Sequence, residues 1–393
     1  MKNVAIISEH DPFHNGHKYQ TDVLREMGAE RIVSVLGGTF SQRGNCHITN
    51  KYFRAEAAVR TGGCDLVLEL PYPYSCSSAE FFARAGVHIA AQFCDSIAFG
   101  CEEDSADVLI EIAKLTSSDG FKDKLSNAQK STPEASLANL TEEIIRTELS
   151  DKHANAAVLP NNILAVEYLK AIYNGNYSLE PIFIKRQGAD HDSKQACGNI
   201  CSASMVRENI INGHDWENFC PKETAKVLKA AKAKGRLGAS LQNAERAVLY
   251  ALRSISPDKA DTYAECAGGL GRRILKTASD ATTLDELYSL LATKRYTNAR
   301  IRRAVISMLT GAREEDARAL PKFTCLLAAN KTGLSSIKRS LFPVISTPSD
   351  IRGIDDERCV ELYLNAERIA SLCYEKAIGE YDIFTQKPQI VSK

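Results

Sequence analysis

Short apolar runs alternate with amphipathic helical patterns through the first half of the chain. The apolar runs span residues 4–7, 31–36, 65–70, 96–99 and 181–184, and the helical patterns span residues 16–27, 51–60, 78–92 and 163–173. Continuous apolar strands separated by helices are typical of a parallel sheet that helices cover on both faces. The pattern therefore predicts an α/β domain, in which Asn50 is the expected N-cap of the second helix.

Helical patterns dominate after residue 220. They span residues 222–234, 242–254, 264–278, 284–291, 298–309 and 358–377. Residues 106–157 are also helical in pattern and polar, and we expect them to form an insertion within the first domain. The chain is long enough for two domains. We predict an α/β domain over residues 1–220, with the helical insertion at about 106–157, and a mainly α-helical domain over residues 221–393.

Composition and charge limit the function only broadly. Lysine plus arginine and aspartate plus glutamate number 49 each among 393 residues, so net charge does not indicate nucleic-acid binding, although a local basic face is compatible with it. No stretch approaches the roughly 18 apolar residues of a membrane span, and the first residues enter a strand rather than a signal sequence. The twelve cysteines are scattered, without a C-x-x-C pair. We expect reduced thiols, no metal site, no membrane contact and a cytoplasmic location.

The segment His14-Asn15-Gly16-His17 directly follows the first predicted strand. Its two imidazoles share one face of the helix that starts near Gly16, since residues three apart are neighbours on a helix. A helix N-terminus offers unpaired N–H groups to a phosphate, and two imidazoles there can stabilise the charge that builds on an α-phosphate during attack. A metal half-site or a helix cap would use the same residues, but no acidic or cysteine partner stands at helical spacing nearby. The position at a strand-to-helix turn favours nucleotide activation.

A second polar cluster, Ser202-Ala203-Ser204-Met205-Val206-Arg207, opens a predicted helix. Hydroxyls at a helix start bind backbone N–H groups or a phosphate, and an arginine one turn later can hold a phosphate oxygen. Simple N-capping by Ser202 or Ser204 is the alternative. Gly100 and Lys185-Arg186 stand at the ends of two predicted strands, where parallel sheets bind their ligands.

Taken together, the two clusters resemble the HIGH-type nucleotidyltransferase superfamily, and longer blocks resemble one family within it, the bacterial tRNA(Met) cytidine acetate ligases. The blocks occur in this order: Glu9-His10-Asp11-Pro12-Phe13-His14-Asn15-Gly16-His17, Phe40-Ser41-Gln42-Arg43-Gly44, Asp65-Leu66-Val67-Leu68-Glu69-Leu70-Pro71, Ser78-Ala79-Glu80-Phe81-Phe82-Ala83, Pro160-Asn161-Asn162-Ile163-Leu164 and Thr293-Lys294-Arg295-Tyr296-Thr297. The resemblance covers residues 6 to about 310 and implies a Rossmann-like nucleotidyltransferase domain with a parallel sheet.

The resemblance implies a two-step reaction. Acetate attacks the α-phosphate of ATP to give acetyl-adenylate and pyrophosphate, with Mg²⁺ as the expected companion of ATP. The N4 amine of the wobble cytidine in elongator tRNA(Met) then takes the acetyl group, which gives N4-acetylcytidine and AMP. The implied partners are therefore ATP, acetate and this tRNA, without DNA.

The same resemblance implies roles for individual residues. His14 and His17 would stabilise the pentavalent α-phosphate. The implied ATP contacts are Ile7, Ser8, Glu9, Pro12, Phe13, Gly16, Gln20, Gly100, Asn161, Asn162, Arg186 and Gln187, and the implied pyrophosphate contacts are Ser202, Ser204 and Arg207. His10-Asp11 replaces the aromatic-Asn pair of the family pattern, and Thr39 replaces an Asn. We expect Asp11 to place a negative charge near the phosphates, which His10 could offset as a cation at lower pH.

A basic segment follows residue 292. Its five cations are Lys294, Arg295, Arg300, Arg302 and Arg303. Apolar residues at helical spacing predict a buried face that leaves Arg300 and Arg303 on the solvent side, with Arg302 beside them. Such a face is either simply solvated or neutralises RNA phosphates, and the resemblance favours tRNA contact. Tyr296 could stack on an unpaired base or belong to the core.

Two other functions stay open on the sequence alone. A small-molecule adenylyltransferase would use the same phosphate chemistry, but it needs no large basic helical domain. A non-catalytic RNA-binding protein could hold ATP as a structural ligand, but it would not need both motif histidines.

Overall fold

The computed structural model describes residues 3–102, 105–132, 135–186, 198–293, 296–337 and 340–392. Within these ranges the chain forms eight strands: β1 (Asn3–Ser8), β2 (Arg31–Gly37), β3 (Leu66–Leu70), β4 (Ser96–Cys101), β5 (Glu180–Lys185), β6 (Thr324–Ala329), β7 (Val344–Ile345) and β8 (Gln389–Ile390).

The same ranges contain eighteen α-helices: α1 (Asn15–Glu26), α2 (Lys51–Arg60), α3 (Ala79–Ala90), α4 (Ala106–Ser117), α5 (Asp119–Ser131), α6 (Leu137–Glu148), α7 (Asp151–Ala157), α8 (Pro160–Asn174), α9 (Ala203–Asn212), α10 (Lys222–Ala233), α11 (Glu245–Arg253), α12 (Leu270–Asp280), α13 (Leu284–Leu291), α14 (Asn298–Thr310), α15 (Glu314–Arg318), α16 (Lys331–Ile337), α17 (Glu357–Ser371) and α18 (Glu380–Phe384). Short 3-10 helices occur at Tyr74–Cys76, Glu217–Phe219, Leu241–Ala244, Ala260–Thr262 and Pro348–Gly353.

One sheet organises the described chain. Its strand order is β5-β4-β1-β2-β3-β6-β7, and β8 pairs with β6 beside this path. The strands from β5 to β3 are parallel, and β6 runs antiparallel to β3. The chain leads outward from β1 to β2 and β3 and then returns to the other side of β1 as β4, and ligands of such sheets bind at this reversal. The predicted α/β fold with a parallel sheet is confirmed.

Apolar residues face both sides of the sheet. On β1, Ala5 faces a core that it shares with α3 and α8, whereas Val4 and Ile6 face a core shared with α1 and α2. This burial on two faces is the arrangement that the continuous apolar runs predict. The Asn50 side chain accepts a hydrogen bond from the Phe53 N–H, so the predicted N-cap of α2 is confirmed as well.

The last part of the chain adds strands to this sheet, although the sequence pattern predicted a mainly helical region there. β6 has the sequence Thr-Cys-Leu-Leu-Ala-Ala and is buried along its whole length. Leucine and alanine are good helix formers, and a strand buried on both faces shows no alternation, so this run carries no clear strand signal. The division at residue 220 stays a prediction, but residues 324–329 and 389–390 belong to the sheet of the first half.

The helices of the second half build a core of their own. α11, α12, α13 and α14 pack together with α17, and Phe40 and Tyr72 from loops of the sheet join them. The helix predicted at residues 264–278 begins only at Leu270, and the last long helix ends at Ser371. Gly268 and Gly269 have φ angles of 78° and 84°, which an α-helix does not use, so α12 starts after them.

Candidate active site

Two histidines, His14 and His17, lie at the N-terminus of α1, after the loop that follows β1. His14 is the N-cap residue, and its Nδ1 accepts a hydrogen bond of 3.0 Å from the Gly16 N–H. Nδ1 of His17 in turn accepts a 3.3 Å hydrogen bond from the His14 N–H. The two ring centroids are 4.0 Å apart. The predicted helix start is confirmed, and a backbone donor fixes each imidazole.

Gly16 makes room for this arrangement. A Cβ atom at position 16 would lie 2.8 Å from Cε1 and 3.0 Å from Nδ1 of His14. A residue with a side chain would therefore displace the capping ring, which explains why the motif carries a glycine between its histidines.

The hydrogen bonds at Nδ1 decide which ring atom carries the proton. A neutral imidazole has one N–H group, and a nitrogen that accepts a hydrogen bond from the backbone is not the protonated one. In both rings the proton is therefore on Nε2. No described residue accepts a hydrogen bond from Nε2 of His14 or His17, so both N–H groups are available to a ligand.

Burial keeps both rings neutral. Burial, together with nearby His17 and Arg186, holds the pKa of His14 well below its ordinary value. Burial and Arg186 lower the pKa of His17 to about 3, although Asp11 acts in the opposite direction. At neutral pH both histidines are therefore uncharged hydrogen-bond donors.

A cleft of about 160 Å³ lies beside the two imidazoles, at the carboxyl ends of β1, β4 and β5. Ten of the predicted site residues line it: Ile7, Ser8, Glu9, His14, Gly16, His17, Gln20, Gly100, Asn161 and Arg186. Lys185, which the sequence places beside Arg186 at the end of a strand, also lines the cleft. Further lining residues, which were not predicted ligands, are Tyr19, Phe99, Leu164, Tyr168, Ile184, Ile200 and Cys201. The cleft lies where the strand order reverses between β1 and β4. The sheet topology thus brings together residues that are far apart in the sequence.

Asn161 and Asn162 have different surroundings at the start of α8. Asn161 lines the cleft, and its Oδ1 accepts a 3.4 Å hydrogen bond from Nη1 of Arg186. Asn162 is fully buried, with Oδ1 bonded to the Glu102 N–H at 2.9 Å and Nδ2 bonded to the Ala156 carbonyl at 3.1 Å. The Asn162 side chain is not among those that line the cleft and joins α8 to the end of β4, so its contact with ATP stays a prediction.

Two more predicted ATP contacts, Pro12 and Phe13, are not among the described residues that line the cleft. Pro12 and Phe13 are buried beneath the motif, and the centroids of the Phe13 and His17 rings are 5.6 Å apart. The Phe13 ring therefore packs against His17 from the core side, and the ATP contacts of Pro12 and Phe13 stay predictions. Gln187 lies outside the described residues.

The serine and arginine cluster of α9 packs against the histidine loop. Ser202 is the N-cap of α9 and accepts a 3.2 Å hydrogen bond from the Met205 N–H, so its N-capping role is confirmed. Nη2 of Arg207 donates to Oγ of Ser204 at 3.0 Å, and Nη1 donates to the Asp11 carbonyl at 2.7 Å. None of the three predicted pyrophosphate ligands lines the described cleft, and their contact with pyrophosphate stays a prediction.

His10 and Asp11 do not have the roles that their charges suggested. The Asp11 carboxylate accepts a 2.8 Å hydrogen bond from the Ile48 N–H and lies 3.3 Å from Nδ1 of His47. Although burial opposes its ionisation, His47 and Arg207 lower the pKa of Asp11 to about 2, so its charge is compensated within the protein. Burial holds the pKa of His10 well below its ordinary value, so His10 is not the predicted cation.

A buried arginine holds the loops around the motif. Arg54 of α2 is 1% exposed, and its guanidinium donates hydrogen bonds to the carbonyls of Glu9, Gly38 and Thr49. Glu9 and Gly38 follow β1 and β2, and Thr49 precedes α2. Arg54 thus sets the position of Glu9 in the cleft wall. An arginine inside the mostly apolar pattern of residues 51–60 is the signal in the sequence that points to this buried role.

The predicted basic helix contains one buried arginine. Arg303 is 7% exposed; its Nε donates to Oε1 of Glu265 at 2.6 Å, and its Nη1 donates to the Gln42 carbonyl at 3.1 Å. The prediction that Arg303 faces the solvent is wrong, because a carboxylate and a carbonyl compensate its charge in the interior. Through Gln42, this arginine connects α14 with the loop after β2.

Arg300 and Arg302 are partly exposed. Arg300 donates to two backbone carbonyls, and its guanidinium lies 5.1 Å from the centroid of the Tyr296 ring. Tyr296 is buried and its hydroxyl donates to a backbone carbonyl, so of its two interpretations the core position is confirmed. Lys294 and Arg295 lie outside the described residues, and the RNA contact of the segment stays a prediction.

Within the described ranges, no group of three or more histidine, cysteine or acidic side chains is arranged to hold a metal ion. Glu9 is the carboxylate among the described residues that line the cleft, and its Oε1 accepts a 2.7 Å hydrogen bond from the Gln42 N–H. No described helix has both the length and the apolar composition needed to cross a membrane.

The chain is similar to known proteins over nearly its whole length. Residues 1–382 match the family model described as HIGH Nucleotidyl Transferase. The tRNA(Met) cytidine acetate ligase of Caldanaerobacter subterraneus subsp. tengcongensis is 32% identical over 98% of this chain and 98% of its own length. Proteins of the same name from Acetivibrio thermocellus and Bacillus subtilis are 31% and 30% identical, over 95% and 98% of this chain and 96% and 95% of their own lengths.

The fold is also similar to a solved one. The crystal structure of Thermotoga maritima TmcAL in its apo form superposes with a TM-score of 0.92 at 23% identity, over 100% of each chain. The same protein bound with alpha-thio ATP superposes with a TM-score of 0.89 at the same identity and coverage. This likeness concerns the fold.

Proposed function

Because the chain belongs to the tRNA(Met) cytidine acetate ligase family, within the HIGH nucleotidyl transferases, we propose that it acetylates the wobble cytidine of elongator tRNA(Met). ATP and acetate are the other substrates, and acetyl-adenylate is the intermediate. The products are pyrophosphate, AMP and N4-acetylcytidine in the RNA. The observation that carries this proposal is the pair of neutral imidazoles whose Nε2–H groups are free at the N-terminus of α1, among the described contacts.

The first step forms a bond between an acetate oxygen and the α-phosphorus, and it breaks the bond from that phosphorus to the bridging oxygen of the leaving pyrophosphate. Negative charge builds on the other α-oxygens as phosphorus becomes five-coordinate. The Nε2–H groups of His14 and His17 supply two donors for these oxygens, and the positive end of the α1 dipole lies at the same place. The donors gain strength as charge develops, which favours the transition state over bound ATP.

Arg186 supplies positive charge at the cleft. Its proximity lowers the pKa of both motif histidines, and Asn161 accepts one of its hydrogen bonds at 3.4 Å. A guanidinium in this position can pair with phosphate oxygens of ATP. Gly100 leaves the space that Arg186 needs, because a Cβ atom there would lie 3.2 Å from Cγ of Arg186.

Mg²⁺ accompanies ATP in this proposal. It binds mainly phosphate oxygens and water when it enters with a nucleotide, so it needs few protein ligands. The Glu9 carboxylate fits that requirement, since it lines the cleft and commits only Oε1 to a backbone N–H among the described contacts.

The second step transfers the acetyl group to RNA. The N4 amine of cytidine attacks the acetyl carbon, and the bond from that carbon to the AMP oxygen breaks. The amine releases one proton to solvent as N4-acetylcytidine and AMP separate. We place the reaction in the cytoplasm, where tRNA and ATP occur, and the eleven free cysteines among the described residues fit that reducing compartment.

A labelling experiment tests the proposal. Purified protein is incubated with radiolabelled acetate and bulk tRNA, with and without ATP, and the RNA is digested and its nucleosides are separated. We expect label in N4-acetylcytidine only when ATP is present. A transcript of elongator tRNA(Met) with uridine at the wobble position is the matched control and should take up no label.

The other outcomes identify the alternatives. Transfer of AMP to a small phosphorylated acceptor, with no label in RNA, would show an adenylyltransferase and contradict the proposal. Binding of tRNA and ATP without any turnover would show an RNA-binding protein that uses ATP as a structural ligand.

A further inference from the structure

A groove of about 270 Å³ lies between the loop of residues 44–48, α9 and the helix pair α13 and α14, and we call it the arginine groove. Arg207 and Arg302 line it from α9 and α14. Neither arginine is among the described residues that line the ATP cleft. The groove shares no described lining residue with that cleft and is therefore a second polar depression.

The arginine groove is attached to the histidine loop. Nη1 of Arg207 donates to the Asp11 carbonyl at 2.7 Å, and the N–H of Ile48, which also lines the groove, donates to Oδ1 of Asp11 at 2.8 Å. Asp11 precedes the capping residue His14 by three positions. A ligand in the groove would thus lie next to the loop that carries the proposed α-phosphate site.

The chemistry of the groove fits a nucleotide. The guanidinium of Arg302 lies 5.8 Å from the centroid of the Tyr288 ring and forms no ion pair with a described carboxylate. The Tyr288 hydroxyl is buried and has no hydrogen-bond partner among the described residues, which is unfavourable unless a ligand or water supplies one. Asp285 adds an acceptor, and Cys46 and Leu241 add an apolar surface.

The groove wall is held in place before any ligand binds. Gly44 has a φ of 74°, and a Cβ atom there would lie 2.6 Å from the Arg303 backbone nitrogen, so the loop backbone packs directly on α14. Arg303 reinforces this contact through its hydrogen bond to the Gln42 carbonyl. A preformed wall lowers the entropic cost of binding a flexible ligand.

We propose that the arginine groove binds one unpaired nucleotide of the RNA substrate, with its phosphate on Arg302 and its base beside the Tyr288 hydroxyl. Single-stranded RNA is held in this way by cations on the phosphate and by polar groups and flat surfaces on the base. The inference rests on the proposed function for the identity of the RNA. A nucleotide bound in the groove would hold the RNA next to the acetyl-adenylate.

Direct binding of tRNA(Met) to the full chain tests this inference independently of catalysis. The Kd is measured by filter binding at several salt concentrations for the unmodified chain and for Arg302→Ala, Tyr288→Phe and Arg60→Ala. We expect Arg302→Ala to raise the Kd about tenfold and to reduce the slope of log Kd against log salt by about 0.7 to 0.9, because one phosphate contact is lost. Tyr288→Phe removes only the hydroxyl and should raise the Kd about threefold at an unchanged melting temperature.

Arg60→Ala is the matched control. It removes the same charge from the end of α2, which leads into β3 and thus lies at the edge of the sheet opposite to the cleft. Its Kd and salt slope should equal those of the unmodified chain.

Three results would overturn the inference: an unchanged Kd and slope in Arg302→Ala, an equal effect of Arg60→Ala, or a weaker Kd that accompanies a parallel fall in melting temperature in both groove variants. Acetate-dependent pyrophosphate exchange, which needs no RNA, separates this inference from the proposed function. If the unmodified chain catalyses exchange and the groove variants bind RNA as tightly as it does, the inference about the groove is contradicted and the proposed function stands. If the unmodified chain catalyses no exchange but the groove variants bind RNA more weakly, the proposed function is contradicted and the inference about the groove stands.

Discussion

A histidine can donate, accept or carry charge, and the surroundings of three neighbouring imidazoles decide among these roles. His14 and His17 accept backbone hydrogen bonds at Nδ1, which leaves Nε2–H as the donor. His10 lies 4.8 Å from the His17 ring, yet neither of its ring nitrogens has a hydrogen-bond partner among the described residues. Its φ of 42° is in the left-handed region, which costs a non-glycine residue free energy. His10 is thus a neutral packing residue behind the two donors.

Acidification should reveal the burial of His10. Lowering the pH from 7 to 5 should reduce the free energy of unfolding, and His10→Phe should shrink that loss by up to about 2 kcal/mol. Because the pKa of His10 is depressed by burial in the folded chain, the unfolded chain takes up a proton near pH 6.5 that the folded chain excludes. The stabilisation is therefore present above pH 6.5 and is lost as the pH falls.

Urea unfolding at the two pH values measures this loss. The exposed His214 provides the control, since His214→Phe should leave the loss unchanged. Equal losses in His10→Phe and in the unmodified chain would show that His10 is charged or exposed, against the account.

At the scale of single elements, local sequence patterns predict regular structure well. The segments 51–60 and 284–291 are helices with the predicted bounds, because a capping residue and helical spacing mark each of them. The sequence pattern did not predict β6, because its leucines and alanines are not β-branched and do not show the alternation typical of a strand. α1, which carries the histidine motif, has an unusual N-cap. The cap is a histidine, and its ring fits only because residue 16 has no side chain.

Gly16→Ala should separate helix stability from activity. Alanine is the better helix former by about 1 kcal/mol, but its Cβ would lie 2.8 Å from Cε1 of His14 and push the ring from its capping position. We expect acetate-dependent pyrophosphate exchange to fall at least tenfold, while the melting temperature changes by only a few degrees.

Gly120→Ala, in the first turn of α5, is the matched control, because no described atom beyond its chain neighbours and the backbone of its own helix lies within 4 Å of the added Cβ. It should leave exchange unchanged. Exchange in Gly16→Ala as fast as in this control would show that the His14 ring does not depend on the glycine at position 16.

At the scale of the whole molecule, buried charges join the sheet to the C-terminal helices. Nζ of Lys51 lies 2.7 Å from Oε1 of Glu69, 2.7 Å from the Tyr363 hydroxyl and 3.0 Å from Oε1 of Glu367. Although burial opposes it, Glu367 and Glu69 raise the pKa of Lys51, so the ammonium stays charged. β3, α2 and α17 meet at this cluster, and it ties residues 357–371 to the first half of the chain.

Lys51→Met should destabilise the fold by about 3–5 kcal/mol, because it leaves two buried carboxylates without a cation. Denaturant unfolding measures the change. The triple variant Lys51→Met, Glu69→Gln, Glu367→Gln has no uncompensated charge and should recover most of the loss. A loss below about 1 kcal/mol in the single variant would contradict the role of this cluster.

The candidate site was predictable only in part from the sequence. The histidine motif and the strand ends locate the cleft, because local spacing and sheet topology determine them. Contacts between distant segments decide which of the other predicted side chains face the cleft or the solvent. The Asn162 side chain is hydrogen-bonded to the Glu102 N–H, and Arg303 donates to Glu265 and to the Gln42 carbonyl. The Asp11 carboxylate accepts a hydrogen bond from the buried Ile48 N–H. No spacing within one segment carries that information.

The central claim is that two neutral imidazoles at the start of α1 activate ATP for attack by acetate. Acetate-dependent exchange of radiolabelled pyrophosphate into ATP, measured for the unmodified chain and for His17→Ala without RNA, tests it most directly. We expect exchange that requires acetate and that falls at least a hundredfold in His17→Ala at a similar melting temperature, because one of the two donors to the α-phosphate is lost. Undiminished exchange in His17→Ala would remove the histidines from the mechanism and contradict the account.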